Sequence, residues 1–383
     1  MPPPIVDVHT HMYPQEYIDL LTTRTTLPLI RTFPGSPSPR LILLESELPL
    51  LAAALANPSH PPSQLPGRPL TPDFTSLPAK LAFMRTHSIT TSILSLANPW
   101  LDFLPPSTAP AFASTINTSF STSCAAHPGL LYFFACLPLT APVPAILASI
   151  HHASTLPYCR GVIMGTSGLS GAGLDDPALL PLFHLLATLS LPVFLHPHYG
   201  LPPSVFGPRA DDYGHVLPLA LGFPLETTVA VTRMFLAGVF DDVPNLRVLL
   251  AHGGGAVPFL AGRVDSCVAH DGVLAAAPGR KGRRTFGEVL RGGQVFLDAV
   301  VYGGVGVRAA VELVGRGRVM FGTDHPFFPP VGGEGGDLGE GVTWGSVEGN
   351  VEGVREGFGE GEEEGRAGVM GGNAVGVFRL VGE

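Results

Sequence analysis

Lysine is almost missing from this chain: Lys80 and Lys281 are the only two among 383 residues, and neither falls at the end of a strand-like run. A centre that bridges two metal ions through a carbamylated lysine needs that side chain at a strand end, so one ion is expected rather than two. Cysteine is sparse as well. Cys124, Cys136, Cys159 and Cys267 are scattered, with neither CxxC spacing nor the density of a disulfide scaffold. They read as buried thiols in a reducing, cytoplasmic setting. Long apolar runs are lacking, because Pro, Gly, His or charge interrupts each one before the roughly 20 residues that a membrane helix needs. The N-terminus carries no basic region followed by an apolar stretch. No membrane association is expected. Clustered basic charge is confined to "GRKGRR" at 279–284, which suits a solvated loop better than a nucleic-acid footprint.

Acidic charge is plentiful but local. The net charge is -9, and residues 331–366 alone hold ten Asp/Glu against two Arg, so the remainder is nearly neutral. This Gly/Glu-rich stretch opposes packing and is expected to be partly a surface loop, with helical character around Val351–Arg355. Thirty-four of the 47 glycines lie beyond residue 252, a shift that could mark a domain boundary. Strand-like runs continue at similar spacing on both sides, which favours one domain over 1–383.

Eight short apolar runs fit buried strands: "IVDVH" (5–9), "TTSILSL" (90–96), "LLYFFAC" (130–136), "GVIMG" (161–165), "VFLH" (193–196), "RVLLAH" (247–252), "VFLD" (295–298) and "RVMFGTD" (318–324). Most lack polar alternation, as strands covered on both faces do. Helix-length segments such as "APVPAILASIHHAS" and "DPALLPLFHLLATLS" separate them, which predicts an α/β fold, a (β/α)8 TIM barrel. Residues 13–88 make an unusually long first connection, expected to form an inserted cap over the site.

Barrel chemistry gathers at the C-terminal ends of the strands, where the loops converge. His9 and His11 finish the first run, and residues i and i+2 of a strand share a face. His196 ends the fifth run, His252 the sixth and Asp324 the eighth. Three imidazoles and a carboxylate at one mouth suit a borderline divalent ion, typically zinc, with coordination left open for substrate. His198 and His325 neighbour these positions and read as groups behind the ligands or as pocket-wall groups. His252 could be a further ligand, a general acid/base or a structural histidine. Gly253, Gly254 and Gly255 beside it allow close backbone approach, which favours a catalytic or substrate-contacting role.

The N-terminal HxH, the HP after strand 5, "HGGGAVPFLAGR" and "GTDHPF" together resemble the metal-dependent decarboxylase branch of the amidohydrolase superfamily, typified by aminocarboxymuconate semialdehyde decarboxylase. Within it, "THMYPQEYIDLL", "LPLIRTFPGSPSPRLILL", "LPGRPL", "SLANPWLDFL", "FLHPHYGLP" and "FGTDHPFFPP" resemble the fungal uracil-5-carboxylate (isoorotate) decarboxylases; the acidic stretch at 331–366 does not. The resemblance implies a carboxy-lyase with one Zn2+ per subunit, less readily Mn2+, and no organic cofactor. Its implied reaction converts uracil-5-carboxylate to uracil and carbon dioxide in pyrimidine salvage. It implies His9, His11, His196 and Asp324 as metal ligands, Asp324 and His252 as the catalytic pair, and Arg68, Asn98, Arg263 and Phe327 as substrate contacts. In relatives the arginine of the GR pair reaches a neighbouring subunit, so a homodimer or dimer of dimers is implied. Decarboxylation of a hydroxybenzoate such as 6-methylsalicylate or resorcylate is the nearest alternative, since a phenol ortho to a carboxylate offers the same chelating pair. Hydrolysis of an amide or lactone is the alternative of another class.

Overall fold

The computed structural model describes residues 3–57, 61, 64–277, 279, 281–330 and 341–380. Its centre is a sheet of eight parallel strands, in chain order β1 (Val6–His11), β2 (Thr91–Ser95), β3 (Leu131–Cys136), β4 (Cys159–Gly165), β5 (Val193–His196), β6 (Val248–Leu250), β7 (Val295–Asp298) and β8 (Val319–Met320). Each pairs with the next. The sheet closes on itself where Val8 N–H donates to the Phe321 carbonyl at 3.1 Å and Asp324 N–H to the His9 carbonyl at 2.8 Å. The predicted TIM barrel is therefore present, with every residue of β1, β2, β3, β5, β6 and β7 buried. Burial on both faces is why these strands read as unbroken apolar runs.

Helices cover the outside. The segment read as "APVPAILASIHHAS" forms Val143–Thr155 and buries Ile146, Ile150 and Ala153, a single stripe at helical spacing. The helical stretch Pro218–Ala237 is long and apolar enough in composition to cross a membrane. Its Ala230, Val231, Met234 and Phe235 are nevertheless spent on the barrel core.

Within 13–88 the chain forms helices Gln15–Thr23, Leu48–Ala56 and Leu77–Thr86 and a three-stranded antiparallel sheet of Leu29–Arg31, Arg40–Ile42 and Arg68–Pro69. That sheet has a small core of its own, built on Leu29, Phe33, Ile42, Leu51, Ala54 and Leu65. Tyr13, Leu70 and Phe74 belong instead to the main core, which anchors the segment to the barrel.

The acidic stretch differs from the loop its composition suggested. Residues 331–340 lie outside the described ones, but Gly345–Gly357 is a helix of 13 residues, longer than the Val351–Arg355 patch. Its Val347, Asn350, Gly353, Val354 and Gly357 face inward. A Cβ on Gly357 would stand 2.6 Å from Val307 Cγ1 in the helix Gly304–Val314. The glycines that seemed to oppose packing allow two helices to approach closely.

Candidate metal centre and substrate pocket

β1 delivers two imidazoles to one face: the His9 and His11 rings lie 5.0 Å apart, nearly perpendicular. His196, at the end of β5, sits 5.1 Å from the His9 ring and 5.0 Å from the His11 ring. Asp324, just beyond β8, sends Oδ1 to within 3.3 Å of His9 Nε2 and 3.5 Å of His11 Nε2, and Oδ2 to within 3.6 Å of His252 Nε2. Ligand atoms of His9, His196, His252 and Asp324 all lie within 4.8 Å of one another. The structure thus brings together all five strand-end groups. The tightest set differs from the ligand set expected from sequence: it includes His252, while His11 approaches through Asp324.

The backbone is shaped to achieve this. Asp324 (φ 58°) and His252 (φ 54°) both adopt the left-handed region, a conformation that persists only where surroundings enforce it. Gly253 continues the turn at φ +62°, where a Cβ would meet Val301 Cγ1 at 2.5 Å. The close backbone approach read from this glycine run takes the form of a tight left-handed turn beside His252.

Hydrogen bonds at the far nitrogens of His9, His11 and His196 fix their tautomers. His9 Nδ1–H donates to Asp298 Oδ2 at 2.6 Å, and His196 Nδ1–H to the Pro197 carbonyl at 2.8 Å. Ser95 Oγ lies 2.9 Å from His11 Nδ1 and already donates its proton to the Thr10 carbonyl, so it accepts from His11. The Nε2 atoms of His9, His11 and His196 are buried and have no hydrogen-bond partner. Three buried imidazole lone pairs beside one carboxylate fit a divalent cation, and the partners behind them are of the kind that orient metal-binding histidines.

Charge agrees. Burial works against a proton on His9, but Asp324 and Asp298 outweigh it and push the pKa up to about 10. Burial, aided by cationic His9 and opposed by Asp324, takes His11 down to about 4. His196 is held well below the usual imidazole value by burial and the surrounding imidazoles. Burial disfavours a charged Asp324, yet His9, His11 and His252 keep its pKa well below the ordinary carboxylate value. Without metal, a proton on His9 stands between the two carboxylates and offsets part of their charge.

Around this cluster stand three of the four predicted substrate contacts. Phe327 packs edge-on to His11 at 5.5 Å. Arg68 lies over the Phe327 and Phe74 rings at 4.8 and 5.1 Å and donates to the Tyr13 hydroxyl, while its buried Nε has no partner. Tyr13 in turn donates to the Asn98 carbonyl at 2.9 Å. Asn98 is oriented by its own Nδ2, which donates to the His198 carbonyl, so Oδ1 remains as its acceptor. His198 is tied to Asp102 at 2.9 Å and stacks on Tyr199, bracing the pocket wall. Arg263 is not brought to the cluster; it lies exposed on helix Val257–His270.

Sequence reasoning passed over Asp298, Ser95 and Tyr13. Asp298 carried a signal, since it closes "VFLD" as Asp324 closes the last run. Its carboxylate accepts from His9 and from the backbone N–H groups of His252, Gly253 and Val300 at 3.1, 2.8 and 3.1 Å.

The amidohydrolase family profile matches residues 6–380, nearly the whole chain. The chain belongs to the amidohydrolase family. Among solved structures, this amidohydrolase superposes on Metarhizium anisopliae IDCase in its apo form with a TM-score of 0.91 and 56% identity, covering 99% of this chain and 98% of that one. A 2-amino-3-carboxymuconate-6-semialdehyde decarboxylase of Dictyostelium discoideum is 35% identical over 167 residues, 44% of this chain and 43% of that protein. A gamma-resorcylate decarboxylase of a Rhizobium species is 27% identical over 254 residues, 65% of this chain and 76% of that protein.

Proposed function

We propose that this amidohydrolase is a metal-dependent, non-oxidative decarboxylase that converts uracil-5-carboxylate to uracil and carbon dioxide, a step of pyrimidine salvage. The observation that carries the reading is the convergence of three unpartnered imidazole nitrogens and Asp324 beneath Arg68 and Asn98. Likeness to IDCase at 56% identity over 99% of the chain supports the choice of substrate. His9, His11, His196 and Asp324 hold one ion with His252 beside it; a nitrogen-rich set suits zinc better than manganese. When bound, the metal supplies Lewis-acid polarisation of the substrate carboxylate and the neighbouring ring oxygen.

The chain's own groups do the rest. Arg68 offers a planar fork to a carboxylate or ring carbonyl. Asn98, oriented by one Nδ2–H bond to the His198 carbonyl, presents Oδ1 as an acceptor that matches a ring N–H of a pyrimidine. A hydroxybenzoate could offer a phenolic O–H to the same acceptor, so the choice of the pyrimidine leans on the likeness to IDCase. Phe327 and Phe74 wall off the ring from water. Loss of carbon dioxide leaves electron density on C5 that needs a proton. Asp324, an anion in the free site, passes on a proton that His252, 13% exposed and 3.6 Å from Asp324 Oδ2, takes from solvent. Arg263 serves the neighbouring copy in a homodimer or dimer of dimers. Phe259, on the same helix and 69% exposed, suits burial in such an interface.

Incubating the purified protein with uracil-5-carboxylate, 2,6-dihydroxybenzoate and 6-methylsalicylate, with mass spectrometry of products and elemental analysis of the metal, tests the proposal. Uracil and carbon dioxide should form, and chelator should abolish the reaction. Intact uracil-5-carboxylate in the presence of metal-loaded protein, or a ring-opened product, rejects it.

A further inference from the structure

Lys80, one of the chain's two lysines, is completely buried on the helix Leu77–Thr86. Removing an ammonium from water costs several kcal/mol unless its protons are engaged. Here they are. Nζ donates to Thr10 Oγ1 at 2.7 Å, to His325 Nδ1, and toward the His325 carbonyl at 3.5 Å. Three acceptors meet the three protons of an ammonium.

Both partners lie on the line where the barrel closes. Thr10 stands between His9 and His11, and His325 follows Asp324. Thr10 Oγ1 donates to the His325 carbonyl at 3.1 Å and His11 N–H to the same oxygen at 2.8 Å. Lys80 adds a third element, the helix of the first connection, to this junction. Phe83, one turn further along that helix, stacks on the His325 ring at 3.7 Å and holds the approach of the amine fixed. Asp7 supplies compensating charge below the junction, where it accepts from the Thr323 hydroxyl at 2.7 Å and from the His9 and Thr323 N–H groups at 3.1 Å each.

We infer that Lys80 is a positioning residue for the metal centre: its amine pins the end of β1 to the segment after β8 and so sets the spacing of His9 and His11 from Asp324. No ligand atom bonds to Nζ, so its influence passes through Thr10 and His325. An apolar residue in its place leaves the His325 Nδ1 acceptor buried without a donor and frees the junction to shift. The inference rests on the metal-centre reading above.

The test compares Lys80→Met, which keeps length without donors, with Lys80→Gln, which keeps a donor for Thr10 Oγ1. Zinc affinity is measured by chelator competition, geometry by the visible spectrum of the cobalt-substituted protein, and folding by circular dichroism. K80M should weaken zinc binding by about 10–100-fold, the usual cost of losing support behind a ligand, and should alter the cobalt bands. At saturating metal kcat should fall with KM unchanged, because Arg68 and Asn98 are untouched. K80Q should recover part of the affinity. A folded K80M with wild-type zinc affinity and cobalt spectrum overturns the inference, as does failure of both variants to fold in metal-saturated buffer, which assigns Lys80 to the core alone. If only K80M fails to fold, K80Q is judged by the same readouts. Wild-type protein that binds no metal rejects the metal-centre reading itself, and wild-type protein that binds zinc but leaves uracil-5-carboxylate intact rejects only the substrate.

Discussion

Asp298→Asn is the substitution with the most closely worked consequence. Asp298 is fully buried, and its four acceptor positions are all used: Oδ2 by His9 Nδ1–H and the His252 N–H, Oδ1 by the Gly253 and Val300 N–H groups. Asparagine keeps the shape but has one oxygen and one NH2. Whichever way the amide turns, its NH2 faces two N–H donors. If the NH2 faces His9, that imidazole must move its proton to Nε2, which closes the lone pair aimed at the metal. If it faces Gly253 and Val300, the turn that carries His252 loses its anchor. Losing a charge-assisted bond costs about 1.5–3 kcal/mol and each orphaned donor about 1–3 kcal/mol, so after relaxation a loss of about 3–5 kcal/mol is expected, as for other broken buried charge pairs. Metal affinity should fall by about 10–100-fold. Urea unfolding with chelator present isolates the first effect, and zinc competition titration the second. A variant with wild-type urea midpoint and wild-type zinc affinity would refute the reasoning about tautomer control.

Three further outcomes follow from the same geometry. Because His9 holds its proton up to about pH 10 in the metal-free protein, zinc must displace it. Calorimetry in buffers of different ionisation enthalpy should show about one proton released per ion near neutral pH, with affinity rising as pH is raised toward 10; no release removes the cationic His9. Asp324→Asn, assayed at saturating metal, should lower kcat by about 10²–10⁴-fold, and undiminished turnover would acquit Asp324 as the proton donor. Asn98→Ala should lower kcat/KM for uracil-5-carboxylate by about tenfold, one hydrogen bond's worth; wild-type kcat/KM in a folded variant would contradict the acceptor role.

The barrel was legible because its strands are buried on both faces, and the end of each run locates a side chain at the mouth. That rule alone picks out His9, His11, His196, His252 and Asp324, and applied to "VFLD" it would have added Asp298. Lys80 escaped because helix position says little about where a long side chain ends; its amine reaches Thr10, 70 residues away. The orientation of Asn98 depends on the His198 carbonyl, 100 residues distant, which no local pattern encodes. Arg263 looks like a pocket residue only through resemblance, and within its own chain it is exposed. The helix Gly345–Gly357 was obscured because its glycines signal disorder in composition yet serve close packing against Val307.

The closure of the barrel through Thr10 and His325, 315 positions apart, has a bearing on biosynthesis. A ribosome releases the first two histidines long before their carboxylate partner exists, so the nascent polypeptide carries an incomplete chelate through most of translation. Contacts this distant in sequence form slowly, so the full ligand set can assemble only after the last strand has been made.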